Sequence, residues 1–224
     1  MKPIFIINFK NYLDIVGAKS LELARAAESV ARRSGVDIVI APPSASLALI
    51  ASRVRVSIFA QHLDDSDPGN TTGFMTPEAV RSYGVSGSLV NHSEHRLPYA
   101  RIENLVERLR ELRMTSVVCA RTPAEVRKLA ALEPDYIAIE PPELIGSGIA
   151  VSRARPGVIT GSVKAARASS RRARVICGAG IVDAADVTAA IKLGSNGILV
   201  ASGIVKAKNW RSKIKELADA MKAG

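Results

Sequence analysis

The sequence predicts a (β/α)8 barrel, and three observations support this fold class. Short apolar runs alternate with amphipathic segments of helical period from one end to the other, as in a parallel sheet covered by helices. There are eight such runs in 224 residues, or about 28 residues for each strand–helix unit, and eight right-handed crossovers in succession close into a barrel. No linker, low-complexity tract or change in composition divides the chain, so residues 1–224 are expected to form one domain.

The eight apolar runs are the predicted strands of the barrel. Each is almost continuously apolar, which is typical of a strand buried on both faces. The runs are, in order, Ile4–Ile7, Asp37–Ala41, Ser57–Ala60, Ser88–Val90, Ser116–Cys119, Tyr136–Ile139, Arg174–Cys177 and Gly197–Val200.

The segments between the runs are predicted helices. Apolar stripes at helical spacing lie along 102–112 and 210–221. The sequence Thr122-Pro123-Ala124-Glu125 predicts a capping box with proline in the first turn, and Thr76 and Asp183 are further predicted N-caps. An open doubly wound sheet is the competing fold, but it usually carries a glycine-rich turn after its first strand, and this chain has Asn8-Phe9-Lys10 there.

Composition is that of an ordinary soluble globular protein, with 47% hydrophobic and 23% charged residues. The longest stretch without a charge, 38–52, is interrupted by two prolines and is shorter than the roughly 20 residues of a membrane span. The N-terminal region has no pattern of a secretory signal, so a cytoplasmic protein without a membrane partner is expected. Cys119 and Cys177 end apolar runs, where cysteine usually behaves as a small buried hydrophobe.

The net charge of +10 raises the question of a nucleic-acid partner. The basic residues are spread along the predicted helices beside glutamates, and the one dense basic run is 171–174. Aromatic residues make up only 4% of the chain, too few for a platform on which bases stack. We therefore expect no nucleic acid, and a positive field would equally steer a small anion such as a phosphate ester.

Polar residues at the carboxyl ends of the strands are the candidates for chemistry, because barrel active sites form at that face. Asn8 and Lys10 follow the first strand, Gln61 and His62 the third, and Asn91-His92-Ser93-Glu94 the fourth. An imidazole at position 92, at a strand end that feeds a helix, would be kept neutral by the helix dipole, which favours a hydrogen-bond donor over a metal ligand. His62 and His95 are expected at the surface or behind the site.

Glu140 is the sharpest single candidate. It follows the apolar run Tyr136–Ile139 and precedes Pro141-Pro142, so its carboxylate is fixed at a rigid strand end beside a long loop. Apolar surroundings raise the pKa of a carboxyl group toward the range useful to a general base. A purely structural glutamate at a strand terminus is the alternative.

Two glycine-containing turns, 177–181 and 200–203, follow the seventh and eighth strands. Small residues in these two places suit the usual phosphate site of a barrel, where backbone N–H groups hold the anion. The two longest connections, 62–76 and 141–155, are expected to be functional loops.

Four motifs together resemble the triosephosphate isomerase family. They are Asn8-Phe9-Lys10, Asn91-His92-Ser93-Glu94, Glu140-Pro141 with Ile145-Gly146-Ser147-Gly148, and Cys177-Gly178-Ala179-Gly180. Their order and spacing from the first strand to the last make the resemblance specific. The chain is similar to the shorter, archaeal-type branch of the family, so a homo-oligomer is expected, with a tetramer favoured and a dimer possible.

This resemblance implies an aldose–ketose isomerase, an intramolecular oxidoreductase of glycolysis and gluconeogenesis. It would interconvert dihydroxyacetone phosphate and D-glyceraldehyde 3-phosphate through an enediolate, without a metal or an organic cofactor. Glu140 would be the proton acceptor, His92 the neutral electrophile and Lys10 the positive charge, with Glu94 supporting them. A lid over 141–148 would close on the substrate. The implied substrate-binding residues are Asn8, Phe9, Lys10, Ile145, Gly146, Gly180, Ala201 and Ser202.

The late motifs depart from the family pattern. Pro142-Glu143 stands where the lid usually carries a tryptophan, and Ala201-Ser202 replaces a paired glycine, so the phosphate contacts stay open. Another phosphate-binding barrel, such as a sugar-phosphate epimerase or an isomerase of the histidine or tryptophan pathway, usually places aspartate or metal-binding histidine at several strand ends. A non-catalytic scaffold on the same fold is a second alternative, and the intact set of Lys10, His92 and Glu140 argues against it.

Overall fold

A closed barrel of eight parallel strands forms the centre of the protein, and each strand pairs with its neighbours in sequence until β8 meets β1. The computed structural model describes residues 2–145 and 148–222. All of the predicted strands are confirmed, with small differences at their ends. The strands are β1 (Ile4–Asn8), β2 (Asp37–Ala41), β3 (Ser57–Ala60), β4 (Gly87–Val90), β5 (Thr115–Ala120), β6 (Tyr136–Ile139), β7 (Arg174–Cys177) and β8 (Gly197–Val200).

Helices follow the strands and surround the barrel. Short 3-10 helices lie at Leu13–Ile15, Ser44–Ser46 and Pro142–Leu144. Within the two described ranges, no helix is both long and apolar enough to cross a membrane. The α-helices are α1 (Ala18–Ser34), α2 (Leu47–Ala51), α3 (Pro77–Ser82), α4 (Tyr99–Glu111), α5 (Pro123–Ala130), α6 (Val151–Ala154), α7 (Pro156–Ser169), α8 (Ala184–Lys192), α9 (Ser202–Val205) and α10 (Trp210–Ala220).

The core has two layers because successive side chains of a strand point to opposite faces of the sheet. On β1, Ile4 and Ile6 point into the barrel, while Phe5 and Ile7 pack outward against the helices. Both sets are buried, which explains why the strands are almost continuously apolar instead of alternating. The inner layer consists of Ile4, Ile6, Val39, Ala41, Phe59, Leu89, Val117, Cys119, Ala138, Ile176 and Leu199.

Two of the three predicted helix caps are confirmed in full. Thr76 accepts from the N–H of Ala79, and Asp183 and Asp186 form a complete capping box. The capping box predicted at Thr122 is wrong in its second half. The Thr122 hydroxyl accepts from the N–H of Glu125, 3.2 Å away, but the Glu125 carboxylate accepts from the N–H of Arg121 instead of reaching back to Thr122.

β8 pairs with β1 and closes the barrel, and the close approach of the two strands leaves no room for a side chain at Gly197. We therefore expect a larger residue at this position to lower the free energy of unfolding. A Cβ atom at this position would lie 2.1 Å from the carbonyl oxygen of Ile4. We expect Gly197→Ala to lower the free energy of unfolding in urea by about 1–3 kcal/mol, the usual cost of overpacking. Gly157→Ala is the matched control, because a Cβ there meets nothing within 4 Å. Equal unfolding free energies for the two variants would contradict the tight closure of the barrel.

Candidate active site

A cavity opens at the carboxyl ends of the strands, where the sequence places the candidate polar residues. It gathers side chains and backbone that follow β1, β4, β6, β7 and β8, so residues far apart in sequence face one small space. The predicted site residues that line it are Asn8, Lys10, His92, Glu140, Ile145, Gly180, Ala201 and Ser202.

Glu140 lies at the floor of this cavity and is almost completely buried, with 4% of its surface exposed. Its backbone N–H donates to the carbonyl oxygen of Ala120, 2.8 Å away, so the chain continues the path of β6 into the rim. A Cβ atom at Gly178 would lie 2.5 Å from Cγ of Glu140, so glycine at 178 gives the carboxylate its space. Among the described residues, no group forms a hydrogen bond with Oε2 of Glu140. A buried carboxylate oxygen without a partner is costly and marks a group held ready for chemistry.

Burial raises the pKa of the Glu140 carboxyl above its ordinary value of 4.5, because the low-dielectric surroundings disfavour the charged form. The neighbouring His92, the Cys119 thiol and the ammonium group of Lys10 act in the opposite direction on this pKa without cancelling the rise. The resulting carboxylate is a stronger base than an exposed glutamate. This agrees with the expectation from the apolar run that precedes it.

His92 faces Glu140, with 3.7 Å between Nε2 of the imidazole and Oε1 of the carboxylate. Nδ1 of His92 accepts a hydrogen bond from the backbone N–H of Glu94, 3.2 Å away. With Nδ1 as the acceptor of this bond, the ring proton is on Nε2, which is one of the two tautomers of a neutral imidazole. The imidazole therefore presents a donor to the cavity.

The expected cause of this neutrality is wrong. The segment after β4 does not lead directly into a helix, because α4 begins only at Tyr99. Residues 92–95 form a turn instead, closed by the N–H of His95, which donates to the carbonyl oxygen of His92 over 2.8 Å. The backbone N–H of Glu94, and not a helix N-terminus, is the group that donates to Nδ1 of the ring.

Lys10 sits in a left-handed backbone conformation, with φ at 52°. Two contacts hold it there: its N–H donates to Oδ1 of Asn8 over 3.0 Å, and the amide of Gln61 donates to its carbonyl oxygen over 3.3 Å. The ammonium nitrogen lies 2.7 Å from Oε1 of Glu94. Glu94 thus contacts both Lys10, through its carboxylate, and His92, through its backbone, which is the supporting position expected for it.

The far end of the cavity is formed by small residues after β7 and β8. Gly180 has φ at 74°, and a Cβ atom there would lie 1.9 Å from the carbonyl oxygen of Ile149, so no side chain is tolerated. Ser202 starts α9, and the first N–H groups of a helix have no acceptor within it. The polar surface at this end therefore comes largely from backbone. The prediction for Gly146 falls outside the described residues.

Phe9 does not reach the cavity, although it was expected to contact substrate. It is completely buried in the outer layer of the core. Asn8 and Lys10 on either side of it line the cavity, so alternation along the strand end sends Phe9 the other way.

A second hollow lies beside Lys10 and Glu94 and contains the other two histidines. His62 and His95 stack there with 3.6 Å between ring centroids. Burial, and then the neighbouring His95, lower the pKa of His62. Both residues are partly exposed and lie outside the lining of the main cavity, in the hollow beside it.

Both cysteines are buried, as predicted. Burial raises the pKa of Cys177 to about 12, so this thiol is inert at neutral pH. Cys119 has a neighbour that the sequence interpretation missed, because its thiol lies beside the carboxylate of Glu140 and the two groups shift each other's pKa. The alternation of side chains along β5 could have indicated this neighbour. It directs Cys119 into the barrel, near the carboxyl end of the strand that pairs with β6.

The geometry does not assemble a set of metal ligands. Within residues 2–145 and 148–222, no group of three or more His, Cys, Asp or Glu side chains could hold a metal ion. The chemistry available from the described side chains is that of a buried base, a neutral imidazole donor and an ammonium group.

Enzymes with a (β/α)8 barrel carry their active-site residues at the carboxyl ends of the strands, and this protein has its polar cavity there. Comparison with known proteins narrows this class, because the sequence profile of triosephosphate isomerase matches residues 3–218. The chain belongs to the triosephosphate isomerase family.

Its relatives include archaeal proteins of similar length. A triosephosphate isomerase of Methanocaldococcus jannaschii is 44% identical over 96% of this chain and 98% of its own length. Triosephosphate isomerases of Cenarchaeum symbiosum and Archaeoglobus fulgidus are each 48% identical, over 98% and 96% of this chain and the same shares of their own lengths. The resemblance to the archaeal branch is therefore confirmed.

The raised pKa of Glu140 makes a prediction for stability against pH. The folded state holds the Glu140 proton to a higher pH than the unfolded state does, so stability from this group is present below pH 4.5 and is lost as pH rises through the folded pKa. Glu140→Gln removes this loss. Its unfolding free energy should exceed that of the wild type by an amount that grows from pH 4 to pH 8, by about 1.4 kcal/mol for each unit of pKa rise.

Glu103→Gln, an exposed change on α4, is the control and should show no such growth. Urea unfolding at a series of pH values measures both differences. A constant difference between Glu140→Gln and the wild type across this range would contradict the raised pKa.

Proposed function

We propose that this protein interconverts dihydroxyacetone phosphate and D-glyceraldehyde 3-phosphate, with Glu140 as the base. The observation that carries the proposal is the almost buried Glu140 carboxylate, which faces Nε2 of His92 at 3.7 Å in the same cavity as Lys10. A proton next to a carbonyl is weakly acidic. Its removal needs a strong base on one side and donors for the developing oxygen charge on the other.

Glu140 makes two proton transfers in this reaction, one at each of the two carbons in turn: it takes a proton from the first carbon and gives a proton to the second. The Glu140 carboxylate takes a proton from the hydroxymethyl carbon of dihydroxyacetone phosphate, and the electron pair moves through the new carbon–carbon double bond to the carbonyl oxygen. The enediolate oxygens accept from Nε2–H of His92 and from the ammonium group of Lys10. The proton of the hydroxyl group on the first carbon passes to the former carbonyl oxygen, with Nε2 of His92 giving a proton to one oxygen and taking a proton from the other. Glu140, now a carboxylic acid, gives a proton to the second carbon, and the deprotonated first oxygen becomes the aldehyde oxygen. Substrate and product are isomers, so no other reactant is required.

The site geometry suits each step. The raised pKa of Glu140 makes it a competent base, and the protonated form that follows is tolerated by the same buried surroundings. With Nδ1 accepting from the N–H of Glu94, Nε2 is the nitrogen that carries the proton and can donate to the developing oxygen charge.

The phosphate would bind at the far end of the cavity, where Gly180, Ala201 and Ser202 present backbone. Binding the non-reacting phosphate provides energy to orient the carbon that reacts. Ile145 and Gly148 of the long connection line the same cavity, so this connection would act as the lid that excludes water. An ion pair between Glu143 and Arg155 links the two ends of that connection.

The surroundings of the enzyme are also part of this proposal. We place the reaction in glycolysis and gluconeogenesis, in the cytoplasm, with the chain folded as one domain. A homo-oligomer is proposed, with a tetramer favoured over a dimer. Leu13, Phe74 and Tyr83 are large apolar side chains exposed by 88%, 54% and 60%, and such groups are often covered by another subunit.

A coupled assay tests the proposed reaction and its base together. Purified protein is supplied with D-glyceraldehyde 3-phosphate, and the ketose that forms is followed by NADH oxidation through an added reductase. We expect rapid turnover by the wild type. Glu140→Asp should lower kcat at least about 100-fold, because the shortened side chain moves the base away from the carbon.

Glu103→Asp makes the same chemical change on the exposed face of α4 and should keep the wild-type rate. A folded wild type without turnover would contradict the proposed reaction. Turnover by Glu140→Asp at the wild-type rate would contradict the assignment of the base alone.

A further inference from the structure

We propose that Arg96 is a positioning residue of this site and that its ion pair with Glu125 holds the turn carrying His92. The inference rests on the proposed function, because it concerns the placement of the imidazole relative to the base. Arg96 lies outside the cavity and touches neither Glu140 nor the phosphate end. Its role would be exerted through the backbone next to His92.

Asn91 is the first link between this turn and the rest of the barrel. It is buried and sits in the left-handed region, with φ at 61°, a conformation that asparagine tolerates better than most side chains. Its Nδ2 donates to the carbonyl oxygen of Cys119 and its Oδ1 accepts from the N–H of Leu97, each over 3.0 Å. The side chain thus ties both ends of the turn to β5.

Arg96 holds the backbone carbonyl of Asn91. Its Nη1 donates to the carbonyl oxygen of Asn91 over 3.2 Å, and Nη2 pairs with Oε1 of Glu125. The carbonyl of residue 91 and the N–H of residue 92 belong to one planar peptide unit. Fixing that carbonyl therefore fixes the plane from which His92 departs.

Glu125 is a rigid anchor for the guanidinium. Its second oxygen accepts from the N–H of Arg121 over 2.8 Å, and its own N–H is held by the cap residue Thr122. Burial acts to raise the pKa of Glu125, but the Arg121 N–H and the Arg96 guanidinium outweigh it and lower the pKa. The carboxylate is charged near neutral pH, and only a fifth of its side chain is exposed. The second half of the capping box at α5 is absent because this carboxylate has these other partners.

The two reacting groups follow β4 and β6, on either side of β5, and this ion pair ties the turn that carries His92 to the helix after β5. Glu140 follows β6 and contacts Cys119 of β5, whereas His92 follows β4. The Arg96–Glu125 pair connects the turn after β4 to the start of α5, which follows β5. Its loss would let Nε2 of His92 move relative to Oε1 of Glu140. The residues at the phosphate end follow β7 and β8 and have no part in this link.

Steady-state kinetics of Arg96→Met test the inference, since methionine keeps the unbranched stem but removes every polar contact. We expect kcat to fall about tenfold or more with KM within about twofold of the wild type, because a small displacement of a reacting group costs rate and not phosphate binding. The inhibition constant of inorganic phosphate should be unchanged. The pH profile of kcat should keep its midpoints and lose height.

Arg172→Met is the matched control. Arg172 forms an ion pair with Asp135, with 2.5 Å between Nη2 and Oδ1. This pair lies at the amino ends of β6 and β7, at the opposite end of the barrel. The variant therefore loses an arginine–carboxylate pair far from the turn that carries His92. It should keep the wild-type kcat even if both variants lose a similar amount of stability. Should Arg96→Met fail to fold, Glu125→Gln is judged by the same readouts, since it breaks the pair from the other side.

The outcomes separate the two proposals. A wild type without isomerase activity overturns the proposed function, and the positioning role falls with it. An active wild type with an unchanged kcat in Arg96→Met overturns the positioning role alone. A higher KM at full kcat would assign Arg96 to binding, and a displaced pH profile at full height would assign it an effect through charge, so either result overturns the inference as well.

Discussion

The burial of one carboxylate is the constraint on which the rest of this structure depends. Glu140 is removed from water at the rim of the barrel with an oxygen that no described residue satisfies. Such a group costs stability, and folding tolerates it only because the surrounding strands are closed and tightly packed. The cost has a chemical use, because the same desolvation that penalises the charge strengthens the base. Stability and reactivity are opposed at this residue.

The other groups of the site are arranged around that carboxylate by the backbone. Glycine at 178 leaves room for it, and left-handed backbone at Lys10 and at Asn91 accompanies the placement of Lys10 and His92 in the same cavity. Neither turn is held by its own residue alone, since Gln61 secures the first and Arg96 the second. The positions of Lys10, His92 and Glu140 therefore depend on hydrogen bonds between side chains and backbone outside the cavity.

The sequence allowed the barrel and its principal polar residues to be predicted for a physical reason. Strands buried on both faces are nearly continuous in apolar residues, so their ends are visible, and parallel strands bring those ends to one face. Details beyond the strand ends were less predictable. Phe9 turns away from the cavity because the inward–outward alternation of β1 continues past its last residue, and the resemblance that placed Phe9 at the substrate does not take this alternation into account. The pairing of Arg96 with Glu125 joins positions 29 residues apart and follows from no local pattern.

The central claim is that hydrogen passes between the two carbons of the substrate as a proton carried by Glu140, and not as a hydride. Exchange of that hydrogen with solvent during a single turnover is its most direct test. Dihydroxyacetone phosphate is converted in D2O, the aldehyde is trapped as it forms, and its second carbon is examined by NMR. A carboxylic acid formed at Glu140 exchanges its proton with solvent, so the account predicts deuterium at that carbon in a substantial fraction of the product. Product carrying only protium there would contradict a carboxylic acid at Glu140 that exchanges with solvent between the two proton transfers.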